Sequence, residues 1–294
     1  MQRPEDSALS ADELRSDLAE VDAVVCLLTD VIDAAAVAAA VNVKVIANVA
    51  VGYNNIDVDA CTAAGIAVCN TPGVLDETTA DLAFALILAA SRLMSEAEHD
   101  LRAGQWQGWG ISQYLGMDVH GATLGLVGYG RIGRAVARRA EGFGMRVIHH
   151  TRRPTGEPGY EADLDTLLRQ SDIVSVHVPL SDETRHLLDA RRLGLLKPTA
   201  VLVNTARGPI VDEQALAVAL EEGRLFAAGL DVYEREPAVD PRLLRAPHTV
   251  LLPHIGSASI ATRTRMARLA SMAVVDVLAG RTPPNLVRRP GEVV

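Results

Sequence analysis

The sequence is short of aromatic residues, of cysteine and of positive charge, and each shortage excludes something. Aromatic residues are 3% of the 294 positions, although hydrophobic residues reach 49%. A core of that size must be filled by Ala, Val and Leu. Lys and Arg number 28 against 37 Asp and Glu, for a formal net charge of −9. A nucleic-acid binder wants a basic face, so that class is set aside; an anionic small-molecule substrate could be held only by a local arginine cluster. The three cysteines, Cys26, Cys61 and Cys69, show no CxxC spacing. An odd count with no signal-peptide pattern suits a reducing cytosol and points to structural burial, with no metal site. The longest apolar run lies in "DLAFALILAASRL" from Asp81. It is much shorter than the roughly 20 residues of a membrane span. Glu77 and Asp81 at its start and Arg92 near its end match the dipole of a helix in water. No membrane is expected, and a cytoplasmic location is. Low-complexity segments and internal repeats are absent too.

What is present is alternation. The length suggests two domains. In the first part "ADELRSDLAEV", "DAAAVAAAV" and "DVDACTAAG" read as helices, between the strand-like runs "DAVVCLLTD", "VKVIANVAVG" and "IAVCN". Continuous apolar strands alternating with helices predict parallel sheet covered on both faces. After the loop Asn70-Thr71-Pro72-Gly73 comes a long helix from about Asp76, then a Gly-rich connection, "GQWQGWGISQYLGMDVHG". Trp106 and Trp109 in it read as packing anchors. A second alternation begins at Ala122, with strands "TLGLVG", "RVIHHT", "DIVSVHV", "AVLVNT", "FAAGLDV" and "TVLLPH". Six strands with helical crossovers predict a doubly wound dinucleotide-binding (Rossmann) domain. A long final helix, "IATRTRMARLASMAVVDVLAG", carries no sign of which domain it packs on.

The turn after "TLGLV" is Gly128-Tyr129-Gly130-Arg131-Ile132-Gly133. Such a triplet is weak evidence alone, but here a strand precedes it and an amphipathic helix follows. Gly128 allows the tight turn, Gly130 the approach of a pyrophosphate, and Gly133 close packing of helix on strand. The helix N-terminus then receives the phosphates. A carboxylate at the end of the second strand would select NAD. This chain has His150-Thr151-Arg152-Arg153 there. Thr151 can donate to a phosphate and two guanidiniums can clamp one, so NADP(H) is preferred and NAD(H) is the alternative.

Three ionisable residues follow the ends of later strands: Arg207 after "VLVNTA", Glu236 after "GLDVYER" and His254 after "TVLLP". Ligands of open α/β sheets bind outside those ends. Reduction of a 2-keto acid needs a hydride, a proton on the carbonyl oxygen and a cation for the carboxylate. His254 can be the acid, because imidazole titrates near neutrality. Glu236 nearby would favour the imidazolium. Arg207 can hold the carboxylate and polarise the carbonyl. His149 and His150 end a strand on the adenosine side. His177 reads as a satisfied core or edge residue, and His99, His120, His186 and His248 have no evident constellation.

At these residues the sequence resembles the D-isomer-specific 2-hydroxyacid dehydrogenases, and within them the glyoxylate/hydroxypyruvate reductases. "VAVGYNNIDVDACTAAGIAVCNTPGVLDETTADLAFALILAA" resembles the family's substrate-domain and hinge segment. "GATLGLVGYGRIGRAVARRAEGFGMRV" resembles its cofactor turn. "LVNTARGPIVDEQAL", "AAGLDVYEREP" and "LLPHIGSAS" carry its arginine, glutamate and histidine at Arg207, Glu236 and His254. The resemblance implies NAD(P)H-dependent reduction of glyoxylate and hydroxypyruvate to glycolate and D-glycerate. It implies a cofactor domain over 73–257 and a smaller flavodoxin-like substrate domain from 1–72 and 258–294, with a cleft that closes over the ligands. It also implies that the amides of Val51 and Gly52 meet the substrate carboxylate. Thr205 and Asp231 would lie at the nicotinamide end and Pro179 near the adenosine, with Gly256 also binding the cofactor. A homodimer built through the cofactor domains and the connection around 98–120 follows as well, with Gln113 or Tyr114 as residues that could reach a partner's site.

One departure stands out. Family members begin with a further strand, helix and strand, so the small domain reads as N-terminally truncated. "AVVCLLTD" is then expected to form an exposed apolar edge. Two alternatives stay open within the class, oxidation of 3-phosphoglycerate and turnover of bulkier 2-hydroxy acids. A third, of another class, is a nucleotide-sensing binding protein on the same fold.

Overall fold

The structure, a computed structural model, describes residues 9–287. The chain divides into two compact units, one of residues up to Leu75 and from Ala258, the other Asp76–Ser257.

The first unit runs α1 (Ala11–Ala19), β1 (Ala23–Cys26), α2 (Ala34–Ala39), β2 (Val45–Asn48), α3 (Val58–Ala63) and β3 (Ala67–Cys69). Ser10 opens α1 with a capping box to Glu13, and Asp33 and Asp57 cap the next two helices through their side chains; each satisfies an otherwise orphaned amide. The three strands are parallel in the order β1-β2-β3. Alternate residues serve opposite faces: Ile46 and Val68 pack with Leu14, Leu18 and Val37, while Val45, Ala47 and Cys69 pack with Ala270 and Ala273. Among the described residues β1 is an edge, and Val25, Leu27 and Leu28 along it are exposed. The cysteines are buried, and burial pushes the Cys26 thiol up to about 12 and those of Cys61 and Cys69 up to about 11. They are thiols, not thiolates, and so unreactive.

The second unit contains α4 (Asp76–Ser91), α5 (Met94–Arg102), β4 (Thr123–Val127), α6 (Arg131–Glu141), β5 (Arg146–His150), α7 (Leu164–Gln170), β6 (Ile173–Val176), α8 (Ala190–Leu193), β7 (Val201–Asn204), α9 (Glu213–Glu221), β8 (Ala227–Leu230) and β9 (Thr249–Leu251). All six strands are parallel, in the order β5-β4-β6-β7-β8-β9. The order reverses between β4 and β6, which is where a doubly wound sheet opens its ligand crevice. One face carries α7, α8 and α9 over Val174, Val176, Leu202 and Leu230; the other carries α4 and α6 over Leu124, Leu126, Val201 and Val203. The chain then returns to the first unit as α10 (Ile260–Leu278), which packs on β2. Among the described residues no single helix is long and apolar enough to cross a membrane.

One reading of the connection needs correction, and one helix before it went unassigned. α5 was not legible as a helix. It starts after Leu93, a left-handed residue at φ 50, because the returning loop packs on the end of α4: Met117 N–H donates to the Ser91 carbonyl at 2.7 Å. The tryptophans do not anchor packing within the chain. Trp106 is 50% and Trp109 81% exposed, with Ile111 and Leu115 exposed beside them in sequence.

Candidate active site

The site is built at the carboxyl ends of the strands of the larger unit. Between β4 and α6, Gly128 has φ 102, and a Cβ there would come within 2.6 Å of the His177 carbonyl carbon at the end of β6. A Cβ on Gly133 would meet the Gly128 carbonyl oxygen at 2.4 Å. Both positions therefore exclude any larger residue. Gly130, by contrast, is the N-cap of α6 with no side-chain cap, and a Cβ on it would meet nothing within 4 Å. An open approach to uncapped amides at a helix N-terminus fits an anionic group. Arg131 and Ile132 form the first turn of α6. Tyr129 stacks on the buried ring of His149 with centroids 3.8 Å apart, and Arg134 Cζ lies over the Tyr129 ring, 4.6 Å from its centroid.

At the end of β5 the polar residues turn to one another. Thr151 Oγ1 donates to the Arg153 carbonyl at 2.6 Å, and Arg152 Nη1 pairs with Glu183 Oε2 at 2.9 Å with both side chains largely exposed. Pro179, after β6, accepts from Thr184 Oγ1 at 2.7 Å.

At the ends of β7, β8 and β9 the geometry is tighter. Asn204 closes β7: its Nδ2 donates to the Arg207 carbonyl at 2.9 Å and its Oδ1 accepts from Ala206 N–H at 3.0 Å. This small cage sets the backbone of Arg207, whose Nη1 donates to the Ala206 carbonyl at 2.7 Å. Burial pulls the Arg207 guanidinium down from its ordinary value, with Glu236 acting the other way. It remains a cation at neutral pH. Gly208 follows because a Cβ there would lie 1.9 Å from the Tyr233 carbonyl carbon. Thr205 Oγ1 is buried with no hydrogen-bonding partner among the described residues. Such an atom fits a site completed by a ligand.

Asp231, at the end of β8, is 1% exposed. Its Oδ1 accepts Ile255 N–H and its Oδ2 accepts Gly256 N–H, both at 2.7 Å. One carboxylate thus holds the loop that carries His254, a residue in the left-handed region at φ 55. Burial pushes the Asp231 carboxyl up, against those amides and His254. His254 Nδ1 lies 2.7 Å from Glu236 Oε2, and Glu236 Oε1 accepts Tyr233 N–H at 3.0 Å. Burial raises the Glu236 carboxyl, but the hydrogen bond and charge of His254 outweigh it and the net displacement is downward. Tyr233 backs the turn, its hydroxyl donating to the Leu252 carbonyl at 3.0 Å, and burial pushes it up to about 12.

The arginine, glutamate and histidine singled out in the sequence are thus brought together, with His254 and Arg207 both acting on Glu236. In the smaller unit, Val51 and Gly52 lie past β2, their carbonyls held by Asn70 Nδ2 at 2.8 Å and Asn48 Nδ2 at 2.9 Å. His177 is satisfied by Ser175, 2.8 Å from its Nε2, and burial pushes it down to about 4. His186 is more committed than its sequence suggested: its Nε2 lies 2.9 Å from Glu234 Oε1. The sequence reading missed Asn204 and Glu213, the latter described below. The only available signal for either was a polar residue directly at an element's end.

The chain is similar to several known proteins. Residues 84–256 match the model of the D-isomer specific 2-hydroxyacid dehydrogenase NAD-binding domain. The glyoxylate reductase of Thermococcus litoralis is 48% identical over 279 residues, 92% of this chain and 84% of that protein. A Thermus thermophilus protein of known structure superposes with a TM-score of 0.91 at 46% identity, covering 95% of this chain and 90% of that one. The NADPH-dependent glyoxylate/hydroxypyruvate reductase of Sinorhizobium meliloti, in complex with NADP and malonate, gives a TM-score of 0.86 at 36% identity, covering 94% and 88%. With a glycine turn, an arginine and a glutamate–histidine pair on one parallel sheet, and with similarity over nearly its whole length, the chain belongs to the D-isomer specific 2-hydroxyacid dehydrogenases.

Proposed function

We propose that the protein reduces glyoxylate and hydroxypyruvate to glycolate and D-glycerate, with NADPH preferred over NADH. The observation that carries this reading is the 2.7 Å contact of His254 with Glu236 at the strand ends beside Arg207. A reduced nicotinamide, when bound, supplies the hydride. The proton and the charge balance belong to the chain. With Nδ1 of His254 committed to Glu236, Nε2 is the nitrogen that delivers a proton to the carbonyl oxygen. Glu236 orients the ring through this contact. Arg207 binds the substrate carboxylate and polarises the carbonyl, and its partial burial strengthens its field.

Gly128, Tyr129, Gly130, Arg131, Ile132 and Gly133 are assigned to the pyrophosphate, and Pro179 to the adenosine side. Thr205, Asp231 and Gly256 are assigned to the nicotinamide side; the orphaned Thr205 hydroxyl supports this. Thr151, Arg152 and Arg153 are assigned to the 2′-phosphate, where a phosphate would compete with Glu183 for Arg152. The activities of the archaeal and Sinorhizobium relatives support the substrate and the cofactor. We assign the cofactor to the larger unit and the substrate-domain role to the smaller.

Exposed Trp106, Trp109, Ile111 and Leu115, with Met94 and Leu101 of α5, support a homodimer formed through this connection, since so much apolar surface marks association. Three buried, unpaired thiols suit the cytoplasm.

The test is loss of NADPH absorbance with glyoxylate, hydroxypyruvate and pyruvate, repeated with NADH. Turnover of the first two, faster with NADPH, is expected. Tight NADPH binding without turnover of any 2-keto acid would make the protein a nucleotide sensor instead.

A further inference from the structure

The turn that carries Glu236 is gripped by another acid. Glu213, the first residue of α9, is 8% exposed, an unusual place for a carboxylate. It is not needed as a cap, because Asp212 already accepts the Ala215 amide. Both its oxygens turn instead to the segment after β8: Oε2 accepts Glu234 N–H at 2.8 Å and Oε1 accepts Asp240 N–H at 2.7 Å. These amides lie on either side of Glu236. Glu234 returns the contact, its Oε1 accepting Glu213 N–H at 2.9 Å and lying 2.9 Å from His186 Nε2. Between the two anchors the chain closes on itself, with Ala238 N–H donating to the Arg235 carbonyl at 2.8 Å.

We propose that Glu213 is a positioning residue for the proton-donating pair. By holding the turn at residues 234 and 240, it sets where Glu236 meets His254. The proposal rests on the reading of that pair given above. The charged groups coupled to the His254–Glu236 pair come from three segments: Glu236 itself from this turn, Asp231 from the end of β8, and Arg207 from beyond β7, which acts on Glu236. Only Glu236 hangs from the turn. Asp231 is held separately by the amides of Ile255 and Gly256. Slack in the turn therefore weakens the contact between this carboxylate and the proton-donating ring and leaves the rest standing. Reduction consumes that proton, so activity should fail at a lower pH on the alkaline side. Cofactor binding at the glycine turn should be untouched.

The experiment uses the whole protein. The pH profile of kcat/KM for glyoxylate with NADPH is measured for Glu213→Gln, Glu236→Gln and the double variant, with NADPH affinity read from tryptophan fluorescence. Glu213→Gln puts an amide NH2 against a backbone N–H. Its alkaline limb should move to lower pH, with NADPH affinity unchanged. The double variant should move no further than Glu236→Gln, because two residues acting through one contact are not additive. Glu213→Asp, which keeps the charge but is one methylene shorter, should move the limb in the same direction. It is decisive if the Gln variant does not fold. An equal loss of kcat/KM at every pH, or additive shifts in the double variant, would overturn the positioning role. If Glu236→Gln itself leaves the limb in place, the reading of the pair falls and this proposal falls with it. If Glu236→Gln moves the limb and neither Glu213 variant does, only the present proposal fails.

Discussion

At the carboxyl end of β5, Thr151, Arg152 and Arg153 sit at the surface, tied by one hydroxyl-to-carbonyl bond and one exposed ion pair. At the ends of β7, β8 and β9, in the same sheet, Asn204, Asp231 and Glu236 each accept at least one backbone amide, and Asp231 is almost fully buried. The first region is soft and solvated, the second clamped. Attraction between a guanidinium and a phosphate acts over several ångströms and tolerates movement. Proton transfer needs the donor within hydrogen-bond reach of its acceptor. The same sheet can host both because, among the described residues, Asp231 and Glu236 brace the turns after β8 and β9 by accepting main-chain N–H groups, whereas Thr151, Arg152 and Arg153 after β5 hold no such carboxylate contact.

Substitutions at the two ends should therefore differ in size and kind. The largest effect is expected for His254→Asn: turnover should fall about 10²–10⁴-fold, the worth of a general acid, while NADPH affinity measured by fluorescence stays the same. Equal loss of both would erase the distinction between the two regions. Next comes Glu236→Gln, which forfeits a charge-assisted hydrogen bond of roughly 1.5–3 kcal/mol, or about ten- to a hundredfold in kcat/KM. Its pH signature has a definite sign. Because folding lowers the Glu236 carboxyl, its stabilisation is present above the ordinary carboxylate range and is lost as pH falls through the lowered value. Thermal unfolding followed into acid should thus show the native protein losing stability more steeply than the Gln variant. A smaller effect is expected at the soft end, where Arg152→Ala with Arg153→Ala should weaken NADPH about tenfold and NADH much less, as titration of each cofactor would read. Equal weakening of both would remove these residues from the 2′-phosphate. The smallest change has the opposite sign. Glu183→Gln releases Arg152 from an exposed pair worth up to about 1 kcal/mol, so NADPH should bind a few-fold more tightly.

Much of this was legible beforehand, for local reasons. Strands buried on both faces read as continuous apolar runs, so β4, β6, β7 and β8 could be placed from composition alone. Gly128 and Gly133 announced a turn because no side chain fits there. A charged residue soon after an apolar run marked Arg207, Glu236 and His254 as strand-end groups. α5 was not legible, because the chain breaks at Leu93 without glycine or proline. The cause lies over twenty residues away, where a Cβ on Gly116 would come 2.2 Å from the Ser91 carbonyl. The exposed tryptophans misled for a related reason: hydrophobicity indicates burial but not within which molecule.

The sequence by itself determined the kinds and order of the elements, the turn that could admit a dinucleotide and the three ionisable residues at the strand ends. Those properties reside in short-range pattern, in side-chain size and in periodicity. Only the tertiary structure decided that α10 packs on β2, that one carboxylate of Asp231 holds the loop of His254, and that Glu213 grips the turn of Glu236 from both sides. Each of these is a pairing of a side chain with main-chain amides or with a distant strand. Every residue but proline carries such an amide, so no pattern of residue types announces which ones a carboxylate will find.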